Sequence, residues 1–386
     1  MSRPDKATVV IIGGGVIGLT IARALAQRGI PDISLLEKSN IGNEASFAAA
    51  GILAPQVEAD SDDEFFRLAC ESRYMYPSFA AALLEETGID VELDSTGTVY
   101  VALTDSDEEA CEHRYNWQKS AGFRVDKLSA TEARELESCI NPSVRSALLF
   151  SDDVQVENRR LLSALLQSVK NHGVRVLAGM SVEELLVDQD RVVGVRTASG
   201  IISCSKVVVA AGCWSSWIRI VRNDTSTIHA HIPQIEPIRG QMVCFDPKPQ
   251  LTRHVIYSPR GYIVPRRDGR LLAGSTSEPV GFIKQTTAGG INSILSNAIQ
   301  ISPAIAGLPI SDFWAGLRPK AADGLPVLGP CGEIEGLFYA TGHYRNGILL
   351  APVTGELIAR AIVNDEISGT LETFSPNRFS QTVVGA

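Results

Sequence analysis

The chain has 386 residues, 45% hydrophobic and 20% charged, with a formal net charge of −9. That length predicts two or three domains, consecutive or interleaved, around a large packed core. The acidic balance excludes a nucleic-acid footprint but leaves room for a local basic pocket that takes an anionic substrate.

The first elements in the chain carry the clearest signal. Thr8 to Ile12 is a short β-branched apolar run, the composition of a buried strand. Gly13-Gly14-Gly15-Val16-Ile17-Gly18 follows and fits G-x-G-x-x-G. Val16 to Gln27 keeps apolar residues at helical spacing, and Gly29 is placed to end that helix. Ile33 to Leu36 is a second strand, with Glu37 at its C-terminal end. Gly13 permits the tight turn, Gly15 lets the backbone approach a pyrophosphate, and Gly18 lets the helix pack against the sheet. The helix N-terminus offers free N–H groups and a partial positive charge. Glu37 can accept from ribose hydroxyls and would repel a 2′-phosphate, which favours FAD or NAD over NADP. The bland alternative is a glycine-rich strand-to-helix turn without a ligand.

Gly42 to Ile52 is rich in small residues, and reads either as a core helix turn or as a helix start lying against the cofactor. Glu64 to Thr87 is predicted helical, Val91 to Leu93 and Gly97 to Leu103 extended, and Asp105 to Ala121 a polar helix. Ser129 and Glu132 have capping-box spacing at the start of another helix. Ala147 to Phe150 is a strand. Asp152-Asp153 reads as a solvated loop rather than a metal site, since no His or Cys lies near. Arg159 to His172 is an amphipathic helix, and Val174 to Val176 joins Ser181 to Ser203 in a predicted strand ladder. Val207 to Val209 runs into Ala210-Ala211-Gly212 and belongs back in the parallel sheet, so the domains are discontinuous. Ile235 to Thr276 reads as antiparallel strands, followed by a helix at Ala288 to Ile301. Gly336 to Thr341 is a strand that enters a glycine-bounded loop and then a helix from about Ile348 to Val363. The polar tail from Ser375 is expected to fray.

The seven cysteines form no CxxC and no metal-ligand spacing, which suggests reduced thiols in the cytoplasm and no metal. No secretory leader and no membrane-spanning apolar stretch is visible.

The blocks GGGVIG with Glu37, SFAAAGIL, VVVAAGCWS, GYIVPRRDGRLLAGST, FWAGLRPKAADGLPVLG and ATGHYRNGILLAP together resemble the D-amino acid oxidase superfamily of flavoproteins. Within it, the likeness is greatest to the glycine oxidases of thiamine biosynthesis, over about residues 7 to 375. The resemblance implies an α/β fold. Its Rossmann-like FAD-binding domain would be assembled from residues 1–85, 140–220 and 325–375. A discontinuous α+β substrate domain, from 86–139 and 221–324, would contain a large antiparallel sheet.

The resemblance also assigns site residues. Gly13, Gly15, Val16, Ile17 and Gly18 form the pyrophosphate turn, and Glu37 and Lys38 lie near the adenosine ribose. Ala45, Ser46, Ala50, Gly51 and Ile52 line the flavin, and Val182 holds the adenine end through its backbone. His343, Tyr344, Arg345, Asn346, Gly347, Ile348 and Leu349 wrap the pyrimidine end. Arg318 matches the family's carboxylate-binding arginine, Tyr262 the tyrosine that assists it, and Arg345 a further substrate-contacting arginine. The residue types agree: an arginine is a planar bidentate donor and a tyrosine hydroxyl adds a third bond. The bland readings are an ion-pair role for Arg318, a core strand position for Tyr262, and carbonyl satisfaction for Arg345. Ser277 is small where a larger side chain could shape the pocket, so a strict preference for glycine is not implied.

The expected chemistry is oxidation of glycine, sarcosine or a small D-amino acid by non-covalent FAD, with hydride transfer to flavin N5. Oxygen then takes the electrons as hydrogen peroxide. A homo-oligomer is expected from the family. The alternatives are a dehydrogenase of the same fold with a quinone or other acceptor, a flavin-binding accessory protein, and an NAD-dependent dehydrogenase.

Overall fold

The alternation of side chains along buried strands organises the first sheet. Val9, Ile11, Ile33, Leu35 and Val208 point into one core, shared with the helices. Val10, Ile12, Leu36, Val207 and Val209 point into a second core on the opposite face. A strand that must bury both faces has no polar side, which is why these runs are continuously apolar.

The computed structural model describes residues 6–222 and 232–383. Among them, a six-stranded sheet runs in the order Val327–Pro330, Leu337–Thr341, Lys206–Val209, Val9–Ile12, Ile33–Glu37, Arg175–Ala178. Only the first pair is antiparallel. The strand at Lys206–Val209 returns beside the first strand, with Val10 opposite Val207, as its apolar run predicts. Helices Val16–Gln27, Glu64–Thr87, Asn158–Asn171 and Ala351–Asn364 supply the first core. A four-stranded sheet, Gly200–Ser203, Arg191–Thr197, Val182–Asp188 and Arg219–Arg222, supplies the second.

The third unit is an eight-stranded sheet in the order Ile310–Ala321, Ile235–Phe245, Leu271–Gly274, Gly261–Pro265, Val255–Ser258, Thr98–Ala102, Ser146–Phe150, Asp126–Ser129. All of its pairings are antiparallel except that of Val255–Ser258 with Thr98–Ala102. One face packs under the helix Ala288–Ile301. The other face presents Met242, Tyr262 and Val264 toward Ala50 of the small-residue segment.

Several expectations change. Arg175–Ala178 is not part of the strand ladder; it pairs in parallel with Ile33–Glu37 at the edge of the six-stranded sheet. Val91 to Leu93 forms no strand. The Ser146–Phe150 strand, grouped by a boundary at residue 140 with the nucleotide-binding segments, pairs inside the eight-stranded sheet. Asp153 is not solvated: it is 0% exposed and bonded to Arg73 at 2.9 Å. Desolvation pushes its carboxyl up to about 7 against the pull of the Arg73 charge. The tail is tied down as well. Asn377 accepts from the Gly332 N–H at 2.9 Å, and Arg378 pairs with Asp323 at 2.7 Å. The residues past 383 lie outside the described range.

Candidate active site

The first turn is built by close approach. Gly13 has φ +114°, and a Cβ there would lie 2.3 Å from the Ala210 carbonyl oxygen. A Cβ on Gly18 would lie 1.9 Å from the Gly13 oxygen, so the helix can start this near the strand only with glycine at both positions. Gly15 is the N-cap of the Val16–Gln27 helix and brings no side chain to it. The Val16 N–H donates to Ser46 Oγ at 3.0 Å, which ties the turn to the small-residue segment. Glu37 is 8% exposed. Its carboxylate accepts from the Gly14 N–H at 2.8 Å and the Ser39 N–H at 3.0 Å, which fixes its orientation.

These elements open onto one cavity of about 520 Å³. Of the residues expected at the cofactor, Gly13, Gly15, Val16, Ile17, Glu37 and Lys38 line it. So do Ala45, Ser46, Ala50, Gly51, Ile52 and Val182. From the last loop, His343, Tyr344, Arg345, Asn346, Gly347 and Ile348 line it. Gly18 and Leu349 do not: Gly18 packs on Gly13, and Leu349 is 2% exposed in the helix-side core. The Gly42–Ile52 segment takes the cavity-lining role of its two readings. Ala45–Ala48 is one helical turn, and Ala48 packs on Gly316, where a Cβ would come within 2.4 Å.

The three expected substrate-binding residues meet the same cavity but differ in charge balance. Arg318 donates through Nη1 to the Thr276 carbonyl at 3.0 Å and through Nη2 to Ser275 Oγ at 2.8 Å. Neither partner is a carboxylate, so among the described residues the positive charge is held without an ion-pair partner. A Cβ on Gly240, on the paired strand two residues past Arg318's partner Ile238, would fall 2.2 Å from Arg318 Nη1. Only glycine leaves the guanidinium its place. Tyr262 is 8% exposed in the apolar cluster of the eight-stranded sheet and also lines the cavity, its hydroxyl 3.6 Å from Met242 Sδ. Arg345, in contrast, is spoken for. Its Nη2 donates to Glu58 Oε1 and to the Tyr257 hydroxyl, each at 2.8 Å. The Glu58 charge holds it well above the usual arginine range.

The loop before the last helix orders itself locally. Tyr344 adopts φ +48°, and its N–H donates to the Pro319 carbonyl at 2.8 Å. Its hydroxyl lies 3.3 Å from Ser277 Oγ. His343 is fully packed and shares a 3.1 Å hydrogen bond with Thr354 Oγ1. Burial pushes its imidazole down to about 3, so it carries no charge near neutral pH. The helix itself begins at Ala351, three residues later than expected.

Sequence reasoning missed Gly240, Glu58, Tyr257, Trp214 and Trp217, all but Tyr257 lining the cavity. The Lys38 ammonium lies over the Trp214 ring at 3.0 Å from its centre. Desolvation lowers the Lys38 pKa, opposed by Glu44. Trp217 packs on Phe282 with ring centres 4.3 Å apart. Among the described residues, no cluster of His, Cys, Asp or Glu is arranged to hold a metal, and no helix is long and apolar enough to cross a membrane.

Comparison with known proteins accounts for this geometry. The family model "FAD dependent oxidoreductase" (DAO) matches residues 8–361. The chain belongs to this family of flavoenzymes. It is 33% identical to the glycine oxidase of Geobacillus kaustophilus over 372 residues, 96% of each chain. It is 34% identical to the bifunctional protein ThiO/ThiG of Trichormus variabilis over 377 residues, and spans only 55% of that longer protein. The glycine oxidase structure from Bacillus cereus superposes with a TM-score of 0.88 at 35% identity, covering 95% of this chain and 98% of that one. The residues present fit the family's cofactor. The glycine cradle at Gly13 and Gly18 would be filled by any Cβ, and the helix beyond it has no side-chain cap. The chain is an FAD-dependent oxidoreductase.

Proposed function

We propose that this chain oxidatively deaminates glycine or a similarly small amino acid or secondary amine, with Arg318 and Tyr262 holding the substrate carboxylate. The observation that carries the proposal is the set of partners that hold Arg318. It is a guanidinium lining the cavity, held by a carbonyl and a hydroxyl, with no carboxylate paired to it among the described residues. A charge left unpaired in a half-buried site favours an incoming anion, and the planar fork matches a carboxylate. Arg345 is already balanced by Glu58, so it borders the substrate rather than anchoring it.

FAD, when bound, supplies the two-electron acceptor for the substrate's α C–H bond. The protein's part is orientation: Arg318 fixes one end of the substrate, and the Tyr262 hydroxyl, from a strand three places along the same sheet, adds a bond. No side-chain base is needed if the amine enters neutral, and His343 is not available as one. Overall, amino acid, oxygen and water give oxo acid, ammonia and hydrogen peroxide. Oxygen as acceptor, a homo-oligomeric enzyme and action in the cytoplasm belong to the same proposal. The seven buried, unpaired cysteines support a reducing compartment.

Anaerobic addition of glycine, sarcosine, D-alanine, D-proline and L-alanine to the purified protein tests the reading. Glycine or sarcosine should bleach the visible flavin bands fastest. Arg318→Ala should keep FAD while raising KM roughly 10- to 100-fold, the worth of a charge-assisted pair. Bleaching by none of the panel, or wild-type KM in that variant, would remove the proposal.

A further inference from the structure

Arg266 follows the Gly261–Pro265 strand and is 3% exposed, yet no carboxylate pairs with it among the described residues. Its guanidinium bonds only neutral oxygens. Nη2 reaches the Ala50 carbonyl at 2.6 Å and Asn158 Oδ1 at 3.3 Å; Nη1 reaches the Val156 carbonyl at 2.9 Å and Gln155 Oε1 at 3.2 Å. Burial lowers its pKa to about 10, with the more distant Glu157 charge opposing. A buried cation without a counter-ion is costly and is tolerated where its field is used.

Peptide geometry shows where that field goes. In a trans peptide the C=O and N–H of one unit point in opposite directions. The Ala50 carbonyl faces Arg266, so the N–H of the same peptide, which is that of Gly51, faces away from it. Ala50 and Gly51 line the cavity, and among the described residues no protein acceptor takes the Gly51 N–H. The rest of the segment is pinned from behind in the same way. Asn158 Nδ2 donates to the Ser46 and Phe47 carbonyls at 2.8 and 3.0 Å, and Trp314 Nε1 donates to the Ala48 carbonyl at 3.1 Å. Gly51 has φ +68°, and a Cβ there would sit 2.0 Å from the Val156 oxygen, so the strip cannot rotate freely. A cation on a carbonyl polarises the whole peptide and strengthens the N–H at its other end as a donor.

We propose that Arg266 is a positioning residue that aims and polarises the Ala50–Gly51 peptide, so that the Gly51 N–H stabilises the reduced form of the flavin and raises its reduction potential. This rests on the reading that Ala50 and Gly51 lie against the flavin ring of bound FAD. The test uses the FAD-loaded enzyme and its Arg266→Met and Arg266→Lys variants. Sulfite affinity is read by titration of the flavin spectrum and the midpoint potential by dye equilibration. With FAD content and circular dichroism retained, R266M should bind sulfite about tenfold more weakly, the worth of one charge-assisted hydrogen bond, and have a lower potential. R266K, which keeps the charge but loses the fork, should recover part of both. Equal sulfite affinity and potential in all three proteins would overturn the proposal. So would variants that fold but lose FAD, since Arg266 would then hold the cofactor rather than tune it. If R266M fails to fold, R266K decides, and failure of both to fold would assign Arg266 to the core. Ala50→Leu separates the underlying reading: FAD content and sulfite affinity unchanged in that variant would show that the strip does not meet the flavin, whatever Arg266 does.

Discussion

At the scale of residues, what distinguishes Arg318 from Arg345 is the company each keeps. Both are arginines in glycine-flanked blocks, and both line the cavity, but only Arg345 has a carboxylate at 2.8 Å. Arg318 is instead positioned through the Thr276 segment, and that segment is braced by Glu278. Thr276 Oγ1 donates to Glu278 Oε2 at 2.9 Å, and Arg239 grips the same carboxylate with Nε at 2.9 Å and Nη2 at 3.0 Å. The Arg239 hydrogen bonds, helped by Gln241 and Thr276 and opposed by partial burial, hold the Glu278 carboxyl down to about 2 against an ordinary 4.5. A depressed acid stabilises the fold fully above its unfolded value and loses that contribution as pH falls toward its folded value. The melting-temperature gap between wild type and Glu278→Gln should therefore be constant from pH 7 to 5.5 and narrow by pH 3.5. A gap of equal size at pH 7 and 3.5 would mean the carboxylate is not the bracing group. The glycine at position 18 was legible in the sequence because the atom that crowds it, Gly13 O, belongs to the same motif; Gly13 was legible from that motif too, although the Ala210 carbonyl that crowds it comes from far along the chain. Glu278 and Gly240 were not legible. The brace from Glu278 spans 39 residues to Arg239, and Gly240 is defined only by Arg318 on the paired strand.

At the scale of elements, periodicity identifies helices well but does not say which surfaces meet. The helices Glu64–Thr87, Asp105–Ser120 and Ala288–Ile301 were legible, as was the cap at Ser129. A four-residue strand such as Arg175–Ala178 carries no mark of its partner, so its place beside Ile33–Glu37 emerges only when the helices stack. Asp153 likewise reads as loop, because Arg73 comes to it from another element. Glu86 shows the same kind of long-range closure between three helices. From the end of Glu64–Thr87 it accepts from Arg23 Nε at 2.9 Å and Gln27 Nε2 at 2.9 Å, and from the Ser168 hydroxyl. Arg23 is 6% exposed, so truncating its partner strands a buried cation. Glu86→Ala should cost about 2 kcal/mol, the penalty for leaving such a group unpaired, and urea unfolding would measure it. Glu86→Gln, which keeps acceptor oxygen, should recover part of the loss. An unchanged urea midpoint in Glu86→Ala would show that the three helices are held by apolar packing alone.

For the whole molecule, the cavity is the place where the two main sheets meet. Gly13 and Ala210 come from the six-stranded side, Tyr262 and Arg318 from the eight-stranded side, and Ala45 to Ile52 runs between them. Much of the cavity lining is therefore contributed by segments far apart in sequence, and a ligand that fills it bonds to both halves at once. Such a ligand binds the folded chain and not the unfolded one, so it must stabilise by mass action. At a hundredfold excess of free FAD over its dissociation constant, the gain is about 2.7 kcal/mol. For a chain of this length the unfolding entropy is roughly 0.8 kcal/mol per kelvin, which makes that gain a rise of about 3 °C. Apoprotein prepared by acid–bromide stripping should melt below the holoenzyme, and its midpoint should climb by about that amount for each hundredfold of FAD. FMN lacks the adenosine that the proposed binding mode sets against Glu37 and Val182, so at equal concentration it should raise the midpoint less. If FMN matched FAD, the Glu37 side of the cavity would contribute nothing to binding. If neither raised the midpoint, the two sheets would be joined by their own contacts, and the cofactor would be a passenger in the fold rather than part of what closes it.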